Sequence, residues 1–273
     1  MPSSPPPGTL ALDGRDLVLQ PLPDLQVGPG STRSGAIHDI HYKGQLAPWP
    51  NFINEVENAF RLFPWATSVV DVQEPLPAHP HSLSYEQVYI GDEHAVQGRF
   101  SQLIGQAMGG IFASQGMDIR FGDFKSCTVE KQYKKVPDVM MRDAAGAPLA
   151  VGEEKTPWAK PHDIRLAMGR ECILRHLFGQ PAMYMRDLDL QFGFLSTYEQ
   201  TVFFRQDDTV GNNQTVLLYS PVIMHNWGYI PGQTVTLKQA LFYLGLQASA
   251  APYFITSESR TTGWVTNKDG DKL

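Results

Sequence analysis

The chain has 273 residues, of which 42% are hydrophobic and 18% charged, with a formal net charge of −6. That balance describes a globular protein with room for one substantial core, and it excludes a disordered chain. No apolar run approaches the roughly 20 residues of a membrane span. Residues 1–8 are rich in Pro and Ser and carry neither the basic nor the apolar region of a secretory signal. The two cysteines, Cys127 and Cys172, are too few for a disulfide framework. A cytoplasmic or nuclear protein is therefore expected, with no membrane partner.

In chain order, residues 1–35 read as a Pro/Gly/Ser-rich start with one strand or hook onto the body. An amphipathic helix is expected over Asn51 to Phe63, closed by Pro64. Residues 71–83 read as a loop. Asp92 to Gln115 carries the strongest helical period, with Val96, Phe100, Ile104, Met108 and Ile111 on one face and Asp92 as N-cap. Strands follow at Ile119–Phe121, around Cys127–Val129, at Val136–Met141 and at Leu149–Glu153. Next comes a helix from Pro161 to Phe178, with Gly179 as its C′ residue and Pro181 enforcing the stop. A short helical piece covers Ala182 to Asp187. Gln191–Thr197 and Thr201–Arg205 read as two strands joined by a turn, Val216–Met224 as a further strand, and Thr236–Gln247 as a closing helix. Three regions result: an N-terminal extension over 1–85, an α/β core over 86–250 and a tail over 251–273.

The chemistry concentrates in Val136-Pro137-Asp138 and Val151-Gly152-Glu153-Glu154-Lys155. The segment between them, Asp143-Ala144-Ala145-Gly146-Ala147-Pro148, is rich in turn formers and predicts a hairpin. Side chains alternate along a strand, so Glu153 and Lys155 share one face and Glu154 takes the other. With Asp138 on the first face, two carboxylates and an ammonium meet at the sheet rim, a set suited to Mg²⁺ and an activated water. Taken singly, Asp138 reads as a turn cap and Glu153 with Lys155 as a solvated ion pair.

The pattern Pro-Asp, hairpin, Glu-x-Lys resembles the PD-(D/E)XK nuclease superfamily over roughly residues 90–205. Phe192 to Phe204 resembles a segment of fungal proteins that carry such a domain, sometimes fused to a fungal-type protein kinase. The resemblance implies a restriction-endonuclease-like α/β core, a mixed central sheet flanked by helices. It implies that Asp138 and Glu153 ligate Mg²⁺ (or Mn²⁺), with the backbone carbonyl of Glu154 as a further ligand, and that Lys155 orients or deprotonates the attacking water. Glu93, on the helix before the core strands, completes the metal site in many members of that superfamily; its other reading is a carboxylate favoured by the positive helix end.

The function this implies is metal-dependent hydrolysis of phosphodiester bonds in nucleic acid, with DNA favoured. The alternative is a catalytically silent nuclease-like module that binds or regulates. The net charge disfavours nucleic acid, yet residues 120–176 hold 11 Lys and Arg against 8 Asp and Glu, so the site lies in the basic part of an acidic chain. Lys134 and Lys135, with Lys131 around Tyr133, are candidates to track a nucleic-acid backbone. Lys160, His162 and Arg165 are candidates for phosphate contacts near the following helix start. Many members of the superfamily are dimers, which makes a homodimer an option; no heptad repeat argues for one here.

Overall fold

The computed structural model describes residues 10–33, 35, 37–73, 86–129, 133–208, 215–254 and 263–267. The N-terminal part supplies β1 (Leu10–Asp13), α1 (Gly14–Val18), β2 (Gln26–Val27), β3 (Ile40–Tyr42), β4 (Gln45–Pro48), α2 (Phe52–Leu62), β5 (Val69–Gln73) and β6 (Tyr89–Ile90). Then come α3 (Glu93–Phe100), a π-helical turn (Ser101–Gly105), α4 (Gln106–Ser114), β7 (Arg120–Gly122), β8 (Val139–Arg142), β9 (Pro148–Glu154), α5 (Ile164–Ala167) and α6 (Glu171–Asp187). The chain closes with β10 (Phe192–Ser196), β11 (Gln200–Asp207), β12 (Val216–Tyr219), β13 (Ile223–Met224), α7 (Leu237–Ala250) and β14 (Val265–Asn267).

The result is a mixed α/β architecture around one eight-stranded sheet in the order β4-β12-β11-β10-β9-β8-β7, with β13 also on β11. Most neighbours are antiparallel; β9 with β10 and β4 with β12 are parallel. A parallel pair needs a long crossover, and α6 provides it between β9 and β10.

Alternation along the strands sorts the core into two layers. Val139, Met141, Ala150, Phe194, Phe203 and Leu218 face one cluster with Phe100, Ile104, Met108 and Leu241 from α3, the π turn, α4 and α7. Met140, Val151, Leu195, Val202, Phe204 and Leu217 face a second with Leu174, Phe178, Met183 and Met185 from α6. The sheet is thus covered by helices on both sides, which buries every residue of β9.

Residues 71–73, expected as loop, belong to β5, and 74–83 lie outside the described residues; the strand expected over Val216–Met224 is split into β12 and β13. Four further departures shape the surroundings of the core. The segment expected as an N-terminal extension is built into the core: β4 is the edge strand of the central sheet, and β3 pairs with β14 from the expected tail. No strand forms at Cys127–Val129. A 3-10 turn (Phe124–Ser126) precedes it, held by Asp123, whose side chain accepts from the Ser126 N–H at 2.9 Å. The helix expected from Pro161 to Phe178 is replaced by a 3-10 turn (Lys160–His162), α5 and a separate α6. Asp163 restarts the chain as N-cap of α5, accepting from the Leu166 N–H at 3.1 Å.

The fourth departure is α6 itself. It does not stop at Phe178 but runs through Gly179 and Pro181 to Asp187. Gly179 is where the backbone of β3 crosses the helix; a β-carbon there would collide with the Ile40 carbonyl. Pro181 removes one helix bond, offset by burial of the whole turn from Leu177 to Met185. The single long helix expected from Asp92 does form, interrupted by the π turn, with Asp92 accepting from the Ala95 N–H at 2.8 Å as the predicted N-cap.

Helix α7 buries a lysine, Lys238, at 6% exposure. Burial lowers its pKa from 10.5 to about 8, against a smaller upward pull from Asp71. The folded pKa lies below the unfolded one, so the unfolded chain holds the extra proton between them and stability rises as pH climbs from about 8 to 10.5. Lys238→Met is expected to be more stable than wild type at pH 7, by up to about 3 kcal/mol, and to lose that rise. Urea unfolding of both proteins between pH 7 and 10.5 checks this.

Candidate active site

The predicted hairpin forms. β8 and β9 pair antiparallel with Val139 opposite Gly152, which sets Asp138 beside Glu153 at the open end of the ladder. The turn is fastened by Asp143, whose carboxylate accepts from the Ala147 N–H at 2.7 Å, and by Gly146 at φ +92°. Asp138 Oδ2 accepts from the Glu154 N–H at 2.9 Å, so the carboxylate is tied to the strand that carries the Glu-x-Lys triplet. β10 lies on the other side of β9, and the Lys155 N–H donates to the Ser196 carbonyl at 2.9 Å.

Position along β9 decides what each charged group meets. Val151 belongs to the layer under α6, so Glu153 faces that layer and Glu154 faces the α3–α4 layer. Glu153, Glu154 and Lys155 are 1%, 0% and 4% exposed. The Lys155 ammonium pairs with Glu153 Oε1 and lies 4.0 Å from Glu93 Oε1. Glu153 Oε2 and both carboxylate oxygens of Glu154 are buried without a hydrogen-bond partner. Glu93 stands in the first turn of α3, partly open to solvent.

The electrostatics follow. Burial pushes the Glu153 carboxyl up to about 8; Lys155 opposes this, and the nearby Asp138 and Glu93 carboxylates add to it. Lys155 is held above its ordinary value because attraction to Glu153 and Glu93 outweighs the desolvation that acts against its charge. Glu154 is raised well above the carboxylate range, by burial first and then by Asp138. Three carboxylates therefore converge near one ammonium, and the local field favours an additional positive charge.

Two more side chains belong to this neighbourhood, and the sequence reading did not single them out. Burial raises the pKa of Tyr184 on α6, and the nearby Glu153 and Asp138 carboxylates add to the rise. Its hydroxyl accepts from Gln180 Nε2 at 2.7 Å, one helical turn earlier, while Gln180 Oε1 is buried and unpartnered. Their i, i+4 spacing was the available signal, hidden by ending the helix at Phe178.

The other expected contacts are less concentrated. Lys134 is exposed, whereas Lys135 lies 3.5 Å from Asp187, to which Tyr133 also donates at 3.0 Å. Lys131 lies outside the described residues. Lys160 and Arg165 are exposed around α5, and no ion pair links them to the carboxylates. His162 is buried, with Nδ1 3.1 Å from the Thr156 carbonyl, so it fastens the loop after Lys155 rather than meeting a phosphate. A groove of about 710 Å³ runs along the π turn past Gln97, Ser101, Gln106 and Arg120 and opens on Asp138. π turns of this kind recur at functional sites.

Among the described residues, no three His, Cys, Asp or Glu side chains stand in an arrangement ready to hold a metal ion. The donors available are two side-chain carboxylates, Asp138 and Glu153, a third on Glu93, and main-chain carbonyls. Comparison with protein families, curated proteins and solved structures finds no match to this chain.

The buried pair makes a stability prediction. Lys155→Met removes the attraction that opposes burial, so the Glu153 carboxyl, already raised to about 8, moves higher and stays protonated in the fold at pH 7. The stability of the variant is expected to go on falling above pH 8, where the contribution of this group in the wild type has levelled off, and adding Glu153→Gln is expected to abolish that fall. Urea unfolding of the wild type, the single variant and the double variant between pH 7 and 9.5 measures both steps.

Proposed function

We propose that this site is a divalent-metal-dependent nuclease centre that hydrolyses phosphodiester bonds in nucleic acid, with DNA as the favoured substrate. The observation that carries this reading is the meeting of Asp138, Glu153, Glu93 and Lys155 at the open end of one hairpin, with a groove leading to Asp138. The donor set fits a hard divalent cation: oxygen ligands only, an excess of negative charge, and a Glu153 oxygen with no hydrogen-bond partner. Asp138, Glu153 and the Glu154 carbonyl would hold Mg²⁺ or Mn²⁺, with Glu93 adding charge from the helix start. Such an ion supplies charge stabilisation at the phosphoryl oxygens and a more acidic bound water.

The chain's own groups do the rest. Among the described residues, Lys155 is the one cation paired with these carboxylates, placed to orient an attacking water and to offset charge developing on the phosphate. Burial strengthens that field by excluding bulk water. The Tyr184 hydroxyl, held by Gln180, offers a neutral donor beside the acidic cluster.

A second reading is a silent nuclease-like module that binds or regulates. One observation favours it: Glu153 and Lys155 are almost wholly buried and paired with each other, so the ammonium has its counter-charge without a ligand.

Labelled single- and double-stranded DNA and RNA, incubated with Mg²⁺, Mn²⁺ or EDTA, separate the two. The nuclease reading predicts metal-dependent cleavage that falls by more than about 100-fold in the near-isosteric Asp138→Asn and Glu153→Gln variants and in Lys155→Met. Absence of cleavage by the folded wild-type protein, on all four substrates, would favour the silent module.

A further inference from the structure

A second cavity, of about 550 Å³, lies between the loop that follows Lys155, helix α5 and the start of α6. None of its lining residues belongs to the carboxylate site. Its floor is apolar, formed by Ile37, Leu166 and Ile173 among others, and Leu166 is 58% exposed. Two cations, Lys160 and Arg170, stand on its wall. Neither has an ion-pair partner among the described residues. The one acid in the lining, Asp163, is engaged as the N-cap of α5.

The backbone adds to the positive side. Helix α6 has 17 residues and begins at this cavity, where its N-cap residue, Arg170, makes no side-chain cap. The N–H groups of Glu171 and Cys172 therefore have no side-chain cap, while that of Ile173 donates to the Arg170 carbonyl at 3.0 Å, and the start of the helix presents the positive end of its dipole. An apolar floor with a few convergent polar groups is the usual form of a small-molecule pocket, and here two cations, Lys160 and Arg170, stand in the lining against the one carboxylate of Asp163.

We infer that this cavity binds a small amphipathic anion, an apolar body of aromatic or acyl type carrying a terminal carboxylate, phosphate or sulfonate. The body covers Leu166 and Ile173, and the anionic group meets Lys160, Arg170 and the start of α6. This assignment stands independently of the nuclease reading.

Cys172 is exposed and lines the cavity, which provides a reporter. The probe is 8-anilino-1-naphthalenesulfonate, and the readout is the rate of alkylation of Cys172 by N-ethylmaleimide, followed by peptide mass mapping on the full chain. At a probe concentration about ten times its Kd, alkylation of Cys172 is expected to slow about tenfold, with Cys127 unaffected. The Lys160→Ala/Arg170→Ala double variant is expected to weaken probe binding by about tenfold or more. Leu166→Glu, at an exposed position where folding is unaffected, is expected to abolish protection. N-phenyl-1-naphthylamine, which keeps the rings but lacks the sulfonate, is expected to protect poorly. Absence of protection in wild type, equal protection by the neutral amine, or protection that survives the double variant would each overturn the assignment.

Discussion

Strand β9 lies inside the sheet with helices over both of its faces, so each of its side chains must leave water. For Leu149, Ala150 and Val151 this is favourable. For Glu153 and Glu154, and for Lys155 just beyond, it is a constraint to which the rest of the site responds. Burying an ionised carboxylate or ammonium costs several kcal/mol unless an opposite charge and hydrogen bonds compensate. Lys155 answers Glu153; the main chain of the same triplet holds Asp138; Glu154 is left with no polar partner and is kept toward its neutral form. Replacing this triplet by apolar residues would give a simpler core. A strand that ends this way concentrates negative charge, one ammonium and unsatisfied oxygens at the rim where a groove opens.

The layers around that strand fix the site's surroundings. The crossover from β9 to β10 lays α6 over the Glu153 face and brings Gln180 and Tyr184 to it. The preceding helix, from Asp92 through the π turn, covers the opposite face and brings Glu93 to the rim. Sequence-distant pieces complete the frame: β4 extends the sheet edge, and β3, clamped by β14, crosses α6 at Gly179. The centre is therefore built on regular elements, with one loop, Thr156 to Asp163, fastened by buried His162.

The hairpin, its alternation and the Asp92 cap were legible in the sequence because each rests on local rules: turn residues, a period of two, and a side chain that satisfies a helix N–H. The same rules misread α6. Gly179 and Pro181 are the usual marks of a helix end, but here the glycine admits a crossing backbone and the proline is carried by the burial around it. Long-range pairings such as β3 with β14, or β1 with β5, leave no local trace, since partner strands only three to five residues long are chosen by what they pack against. The depth at which Glu153, Glu154 and Lys155 lie was also invisible, because burial of a charged triplet depends on layers supplied by residues far along the chain.

The central claim is that these carboxylates form a cation site. Isothermal titration calorimetry with Mn²⁺, on wild type and on Glu153→Gln, tests it without reference to any substrate. The account predicts saturable binding to the wild-type protein, displaced by Mg²⁺ and lost in the variant while its circular dichroism is unchanged. Equal binding to both proteins, or none to a folded wild type, would contradict it.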